Sequence, residues 1–204
     1  MRLSAKDISF KYSDEKYILK NINIQVESGE VVGITAPSGF GKTTLAKILA
    51  GYQKPECGQI ILEGMDFIQR GYHPVQLIFQ HPEKSINPKW KMRKVLSESE
   101  LPSEKLMLSM GIQIAWLDRW PSELSGGELQ RFCVLRALSE KTKFIIADEM
   151  TTMLDTITQT QIWKIVLDYA KLHRIGVVVI SHDQALMERI CDRIVDLTVA
   201  SCCR

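Results

Sequence analysis

The run Ala36-Pro37-Ser38-Gly39-Phe40-Gly41-Lys42-Thr43-Thr44 has the residue types and spacing needed to hold a chain of phosphates. The apolar stretch Val31-Val32-Gly33-Ile34 before it reads as a strand buried on both faces. After Lys42, the positions Leu45, Ile48 and Leu49 recur at helical spacing. Strand, glycine loop and helix is the context in which such a loop works. Gly39 and Gly41 let the backbone bend so that successive amide hydrogens converge on one anion. The helix start adds the positive end of its dipole. Lys42 is placed to reach β- and γ-phosphates, Thr43 to hold Mg²⁺, and Ser38, Phe40 and Thr44 to complete the cradle. Ala36 stands where such a pattern usually opens with glycine, and its methyl group is expected to restrict the first turn. The alternative is an ordinary Gly/Ser turn.

Further along, Asp148-Glu149 closes the apolar run Ile145-Ile146-Ala147. Adjacent carboxylates there are costly unless a cation or a reaction uses them. Beside a phosphate loop, Asp148 is suited to the Mg²⁺ shell through water; two solvated acids at a strand end are the alternative. His182 follows the apolar strand Val177–Ile180 and so falls on the same carboxyl edge of the sheet as Glu149. A neutral imidazole there can contact a γ-phosphate and fix an attacking water, although a histidine after a strand can also be purely structural. Asp183 has a second job as N-cap of a helix through Leu186 and Ile190. Gln80 follows the strand 75–79, where its amide can touch Mg²⁺ or water, or simply be a polar loop residue.

These residues need a sheet to align them. Alternation over 8–12 and 18–26 predicts two strands at the start, with a turn at 13–16 and another at 27–30. A break at 54–58 precedes a strand at 59–62. The segment over about 90–125 is polar and apolar at helical spacing, punctuated by Pro102, Gly111 and Pro121, and reads as a small helical insertion. From Gly126 onward helix and strand alternate, which implies a parallel sheet with crossover helices. Ile162, Ile165, Val166 and Tyr169 form the stripe of a helix that covers it. The expected fold class is α/β: a mainly parallel sheet with flanking helices, an antiparallel β region at the N-terminus, and one domain over 1–204.

With 204 residues, 45% hydrophobic and 25% charged, the chain has an ordinary globular composition. A net charge of +2 gives no broad electrostatic case for nucleic acid. No apolar run is long enough to span a bilayer and the first residues lack a signal-peptide core, so a cytoplasmic location is expected. Five cysteines without a Cys-x-x-Cys pair read as reduced packing thiols, with Cys202-Cys203 as an alternative metal contact.

The segment Leu124-Ser125-Gly126-Gly127-Glu128, taken with the loop, the paired carboxylates and Ser181-His182-Asp183, resembles the nucleotide-binding subunits of ATP-binding-cassette (ABC) transporters over about 8–196. Ile78-Phe79-Gln80-His81-Pro82, followed by Ser85-Ile86-Asn87-Pro88, is similar to the oligopeptide and nickel importer ATPases of that family, as is the approach 121–124. The resemblance implies an ATPase using ATP and Mg²⁺ on the cytoplasmic face of a membrane, importing peptides, nickel or metal chelates. A soluble non-transport ATPase and an exporter subunit are the alternatives.

It further implies that Glu149 is the general base for the attacking water, with Gln80 and His182 beside it. Tyr12 would stack on adenine, with Tyr17 as its rival. Ser125, Gly126, Gly127 and Asp155 would act on the nucleotide of an opposing subunit, identical or homologous. Gln80 would carry the nucleotide's state to the helical insertion, which would hold a separate transmembrane permease; a substrate-binding protein would take part indirectly. Two departures stand out. Glu128 replaces the commoner Gln and is expected to weaken phosphate attraction slightly, and Met150 replaces a usual proline and is expected to soften the loop after Glu149. The tail after 194–197 is shorter than that of many relatives.

Overall fold

The computed structural model describes residues 1–13, 16–64 and 71–200. The centre of the expected turn at 13–16 and the pair Cys202-Cys203 lie outside the described residues. Among the described residues, eight strands form two sheets. An antiparallel sheet of order β2-β1-β4 is built from β1 (Arg2–Phe10), β2 (Leu19–Glu27) and β4 (Cys57–Leu62). A parallel sheet has the order β5-β6-β7-β3-β8, from β3 (Val31–Thr35), β5 (Val75–Ile78), β6 (Phe144–Asp148), β7 (Gly176–Ile180) and β8 (Arg193–Asp196).

The continuous apolar strands are explained by burial on both faces. Phe144, Ile146, Val178, Ile180, Val32 and Ile34 pack with helix α1 (Lys42–Leu49) and the antiparallel sheet. Ile145, Ala147, Val177 and Val179 point the other way, as successive strand residues must. There they meet α4 (Gly126–Ala137) and α5 (Thr156–His173). Between β5 and β6 come short helices, α2 (Met92–Leu96) and α3 (Glu104–Ser109), then 3₁₀ turns at Ile114–Asp118 and Pro121–Glu123. Met92, Leu96, Met110 and Trp116 bury this segment against α4.

Several boundaries differ from the sequence reading. β1 begins at Arg2 and ends at Phe10, so Tyr12 lies beyond the strand. Leu197 starts a final short helix instead of closing β8. On α5 the fully buried residues are Ile162, Trp163, Val166 and Ala170, whereas Ile165 and Tyr169 are only half-buried. Trp163 enters the core because its indole Nε1–H finds an acceptor in Thr151 Oγ1 at 3.1 Å.

The order of the parallel strands decides where chemistry can occur. Loops following β5, β6, β7 and β3 all leave the same carboxyl edge, side by side. That edge is where open parallel sheets bind ligands.

Candidate nucleotide site

The loop between β3 and α1 turns twice through left-handed backbone, at Gly39 (φ 77°) and Gly41 (φ 88°). A Cβ at Gly41 would come within 2.6 Å of Ile18 Cγ2 and 2.9 Å of Leu19 Cδ2, so β2 as well as the turn demands glycine there. The Phe40 N–H donates to the Pro37 carbonyl at 3.2 Å and tightens the loop. Lys42, almost fully buried, donates from Nζ to Ala36 O at 2.8 Å and Pro37 O at 3.4 Å, which places the ammonium across the loop. Ala36 does not have a positive φ, so its methyl group brings no left-handed strain to the opening turn.

Asp148, the last residue of β6, is only 4% exposed. Burial pushes its carboxyl above the ordinary range; a hydrogen bond with the Thr43 hydroxyl pulls it down, and neighbouring Glu149 pushes it up again. This buried carboxylate paired with a hydroxyl, close to the Lys42 charge, is a hard-oxygen donor set that suits Mg²⁺ held through water.

Glu149 adopts a left-handed φ of 51°, a conformation that costs a non-glycine residue roughly 1–3 kcal/mol and clusters at functional sites. Its N–H donates to Ile180 O at 3.0 Å, pinning the turn to β7. Each oxygen of its carboxylate meets a different loop: Gln80 Nε2 donates to Oε2 at 2.9 Å, and His182 Nε2 lies 3.0 Å from Oε1. Thr152 supports the pair, donating to Glu149 O at 2.9 Å and accepting from Gln80 Nε2 at 3.4 Å. Asp183 caps α6 (Gln184–Ile190) by accepting from Leu186 N at 2.9 Å.

A cavity of about 320 Å³ is lined by Tyr12, Ile18, Ser38, Gly39, Gly41, Lys42, Thr43, Thr44, Glu149 and His182. The fold thus gathers most of the predicted residues in one place, with Gln80 joined to them through Glu149. Tyr12, 62% exposed, shares a hydrogen bond with Thr44 Oγ1 at 3.0 Å and stands edge-on to Phe10. Tyr17 does not line the cavity. Phe40 packs toward the β-sheet core rather than into the cavity.

Ser125, Gly126, Gly127 and Asp155 do not line it either. Ser125 is the N-cap of α4: its Oγ accepts from Glu128 N at 3.3 Å while Glu128 Oε2 accepts from Ser125 N at 2.7 Å. The Glu128 carboxylate is therefore turned back onto the cap, and the Ser125 amide holds it below the usual range. Asp155 caps α5, accepting from Thr158 N at 2.9 Å, a role the sequence reading missed. A Cβ at Gly127 would sit 3.1 Å from Leu154 Cδ2, so the start of α4 and the loop before Asp155 touch. Met150 is buried in the core, and its neighbour Thr151 accepts the Trp163 indole; contrary to expectation, that loop is anchored at both residues. Gln130 also went unnoticed, although an uncharged polar residue inside the apolar face of α4 is a readable signal.

Comparison with known proteins agrees with this geometry. The family description "ABC transporter" matches residues 19–152. The chain is 34% identical to the nickel import system ATP-binding protein NikE of Staphylococcus aureus, over 96% of this chain and 86% of that one. A bacterial ABC transporter cassette solved as a dimer superposes with a TM-score of 0.80 at 25% identity, covering 95% of this chain and 93% of that one. A dimeric post-hydrolysis state bound to ADP and Pi also gives 0.80, at 24% identity and the same coverage. With the phosphate loop, the paired carboxylates and the capped glycine helix all present on this fold, the chain belongs to the ABC transporter family as an ATP-binding and ATP-hydrolysing subunit.

Proposed function

We propose that this subunit powers the import of nickel or a metal chelate, with short peptides as the neighbouring solute class, from the cytoplasmic face of a membrane. The 34% identity to a nickel import ATPase supports the solute class. The observation that carries the chemistry is the Glu149 carboxylate, clasped by Gln80 and His182 at 2.9 and 3.0 Å within the cavity that holds Lys42.

In this reading Lys42 and the amides of 38–44 hold the β- and γ-phosphates, and Tyr12 stacks on the adenine. Thr43, Asp148 and Gln80 supply the oxygens around Mg²⁺, which neutralises phosphate charge when bound. Glu149 accepts a proton from the attacking water; Gln80 and His182 fix the direction of its carboxylate. Phosphoryl transfer asks chiefly for this positioning. Ser125, Gly126, Gly127 and Asp155 serve the phosphate site of a second subunit, which explains why they lie apart from the cavity of their own chain. The dimeric state of a related cassette supports this arrangement.

A transmembrane permease is the other partner. A second cavity, of about 480 Å³ and lined by Tyr52, Tyr72, Ser85, Glu98 and Arg136 among others, opens where the helical segment meets the parallel sheet. It offers the permease a seat that touches both parts. Differential affinity for closed and open states is the route by which ATP drives transport. Isolation of the chain with its membrane partners in mild detergent, followed by nickel uptake into vesicles on ATP addition, tests the reading. Uptake of peptides without nickel would move the solute class; no membrane partner at all would favour a soluble ATPase.

A further inference from the structure

We propose that Gln130 is a positioning residue for hydrolysis, one that holds Gln80 on Glu149 and fastens the segment 79–85 to the helix bearing Ser125, Gly126 and Gly127. The proposal rests on the reading that Gln80 and Glu149 work together.

Gln130 is 2% exposed on α4, among Leu129, Phe132, Cys133 and Val134. Its Nε2 donates to the carbonyl of Phe79 at 3.1 Å, the peptide that immediately precedes Gln80. Its Oε1 is buried with no hydrogen-bond partner among the described residues. A side chain kept for packing alone would be apolar here, because an unpaired buried amide oxygen carries a desolvation penalty. The bond that offsets this penalty goes to the backbone whose next side chain reaches the catalytic carboxylate.

Gln130 is also the first of a row. Cys133 Sγ lies 3.3 Å from Ser85 Oγ and 3.9 Å from Pro82 O. Arg136 Nη1 donates to Ser85 O at 3.0 Å and to Glu98 Oε2 at 2.9 Å. Residues three apart share one face of a helix, so 130, 133 and 136 grip the loop at successive points along α4. The row runs from the Gln80 peptide to Arg136, which lines the second cavity. Displacement of Gln80 is thereby passed to α4, and a shift of α4 in turn moves Gln80 relative to Glu149.

Gln130→Met keeps the length and removes the donor. In ATP turnover by the purified chain, or by the transporter isolated with it, kcat falls roughly ten- to hundredfold, the scale of a small misplacement at a reacting group, while KM stays within twofold. Adding Gln80→Ala to Gln130→Met brings little further loss, since both act through one amide. Undiminished kcat, a loss confined to KM, or losses that multiply would overturn the proposal. Should Gln80→Ala alone leave turnover intact, the reading of Gln80 fails and this inference with it; should it slow turnover while Gln130→Met does not, only the inference fails. Hydrogen exchange on the unaltered chain needs no variant. Amides of 79–85 should be protected to the same degree as those of α4, and exchange at the rate of a free surface loop would contradict the coupling.

Discussion

Asp148 and Glu149 are neighbours in sequence with opposite surroundings, and the difference assigns their work. Asp148 is buried and its carboxyl is raised; Glu149 swings out through a left-handed turn and is held by an amide and an imidazole. For Asp148 the folded-state pKa lies above the unfolded value. Its charge therefore costs stability at neutral pH, and the cost is relieved as pH falls through the folded pKa. Asp148→Asn should raise the thermal midpoint at pH 7 without nucleotide by about 2 °C or more, while losing the extra stabilisation that Mg²⁺ and ATP give together. Calorimetry with and without Mg-ATP checks both halves. Lys42 and Thr43 were legible in the sequence from the glycine loop and Asp148 and His182 from their places after apolar strands, while the role of Glu149 came from the family resemblance. The polar character of Gln130 on an apolar helix face was readable, but its partner was not, nor was that of Trp163, because Phe79 and Thr151 come from other elements that only the tertiary fold brings near.

At the scale of elements, turns and caps fix where the helices around the site begin. Gly41 has no room for a Cβ beside Ile18 and Leu19 and sits at φ 88°. Gly41→Ala should destabilise the chain by about 1–3 kcal/mol and abolish tight ATP binding, measured by denaturant melts and a fluorescent nucleotide. On α4, Glu128 binds the Ser125 amide and its carboxyl is held low. A depressed folded-state pKa contributes stability above the unfolded value of 4.5, lost as pH falls through the folded pKa. Glu128→Gln should therefore melt below the unmodified chain at pH 7, and the gap should close as pH falls through the folded-state pKa. The central parallel strands β3, β6 and β7 were readable as apolar runs buried on both faces. The segment 90–125 yielded only its general helical character: helices as short as α2 and α3 have little stability alone, so tertiary packing sets their ends.

Across the whole molecule, the site residues fall into two groups, which the proposed function assigns to different nucleotides. Lys42, Glu149 and His182 line one cavity, while Ser125 and Asp155 cap helices outside it and Gly126 and Gly127 open α4. Ser125→Arg should leave nucleotide binding by the chain within about twofold and yet lower turnover by two orders of magnitude or so, because in the proposed arrangement the lesion falls in the partner's site. Unchanged turnover would remove the shared site from the account.

The most direct test of the central claim, that Glu149 held between Gln80 and His182 activates water beside the Lys42 cradle, is ATP turnover by Glu149→Gln with nucleotide affinity measured on the same sample. The amide keeps the shape and loses the base, so turnover should fall by about 10²- to 10⁴-fold with ATP binding unchanged. Turnover near that of the unmodified chain would contradict the assignment.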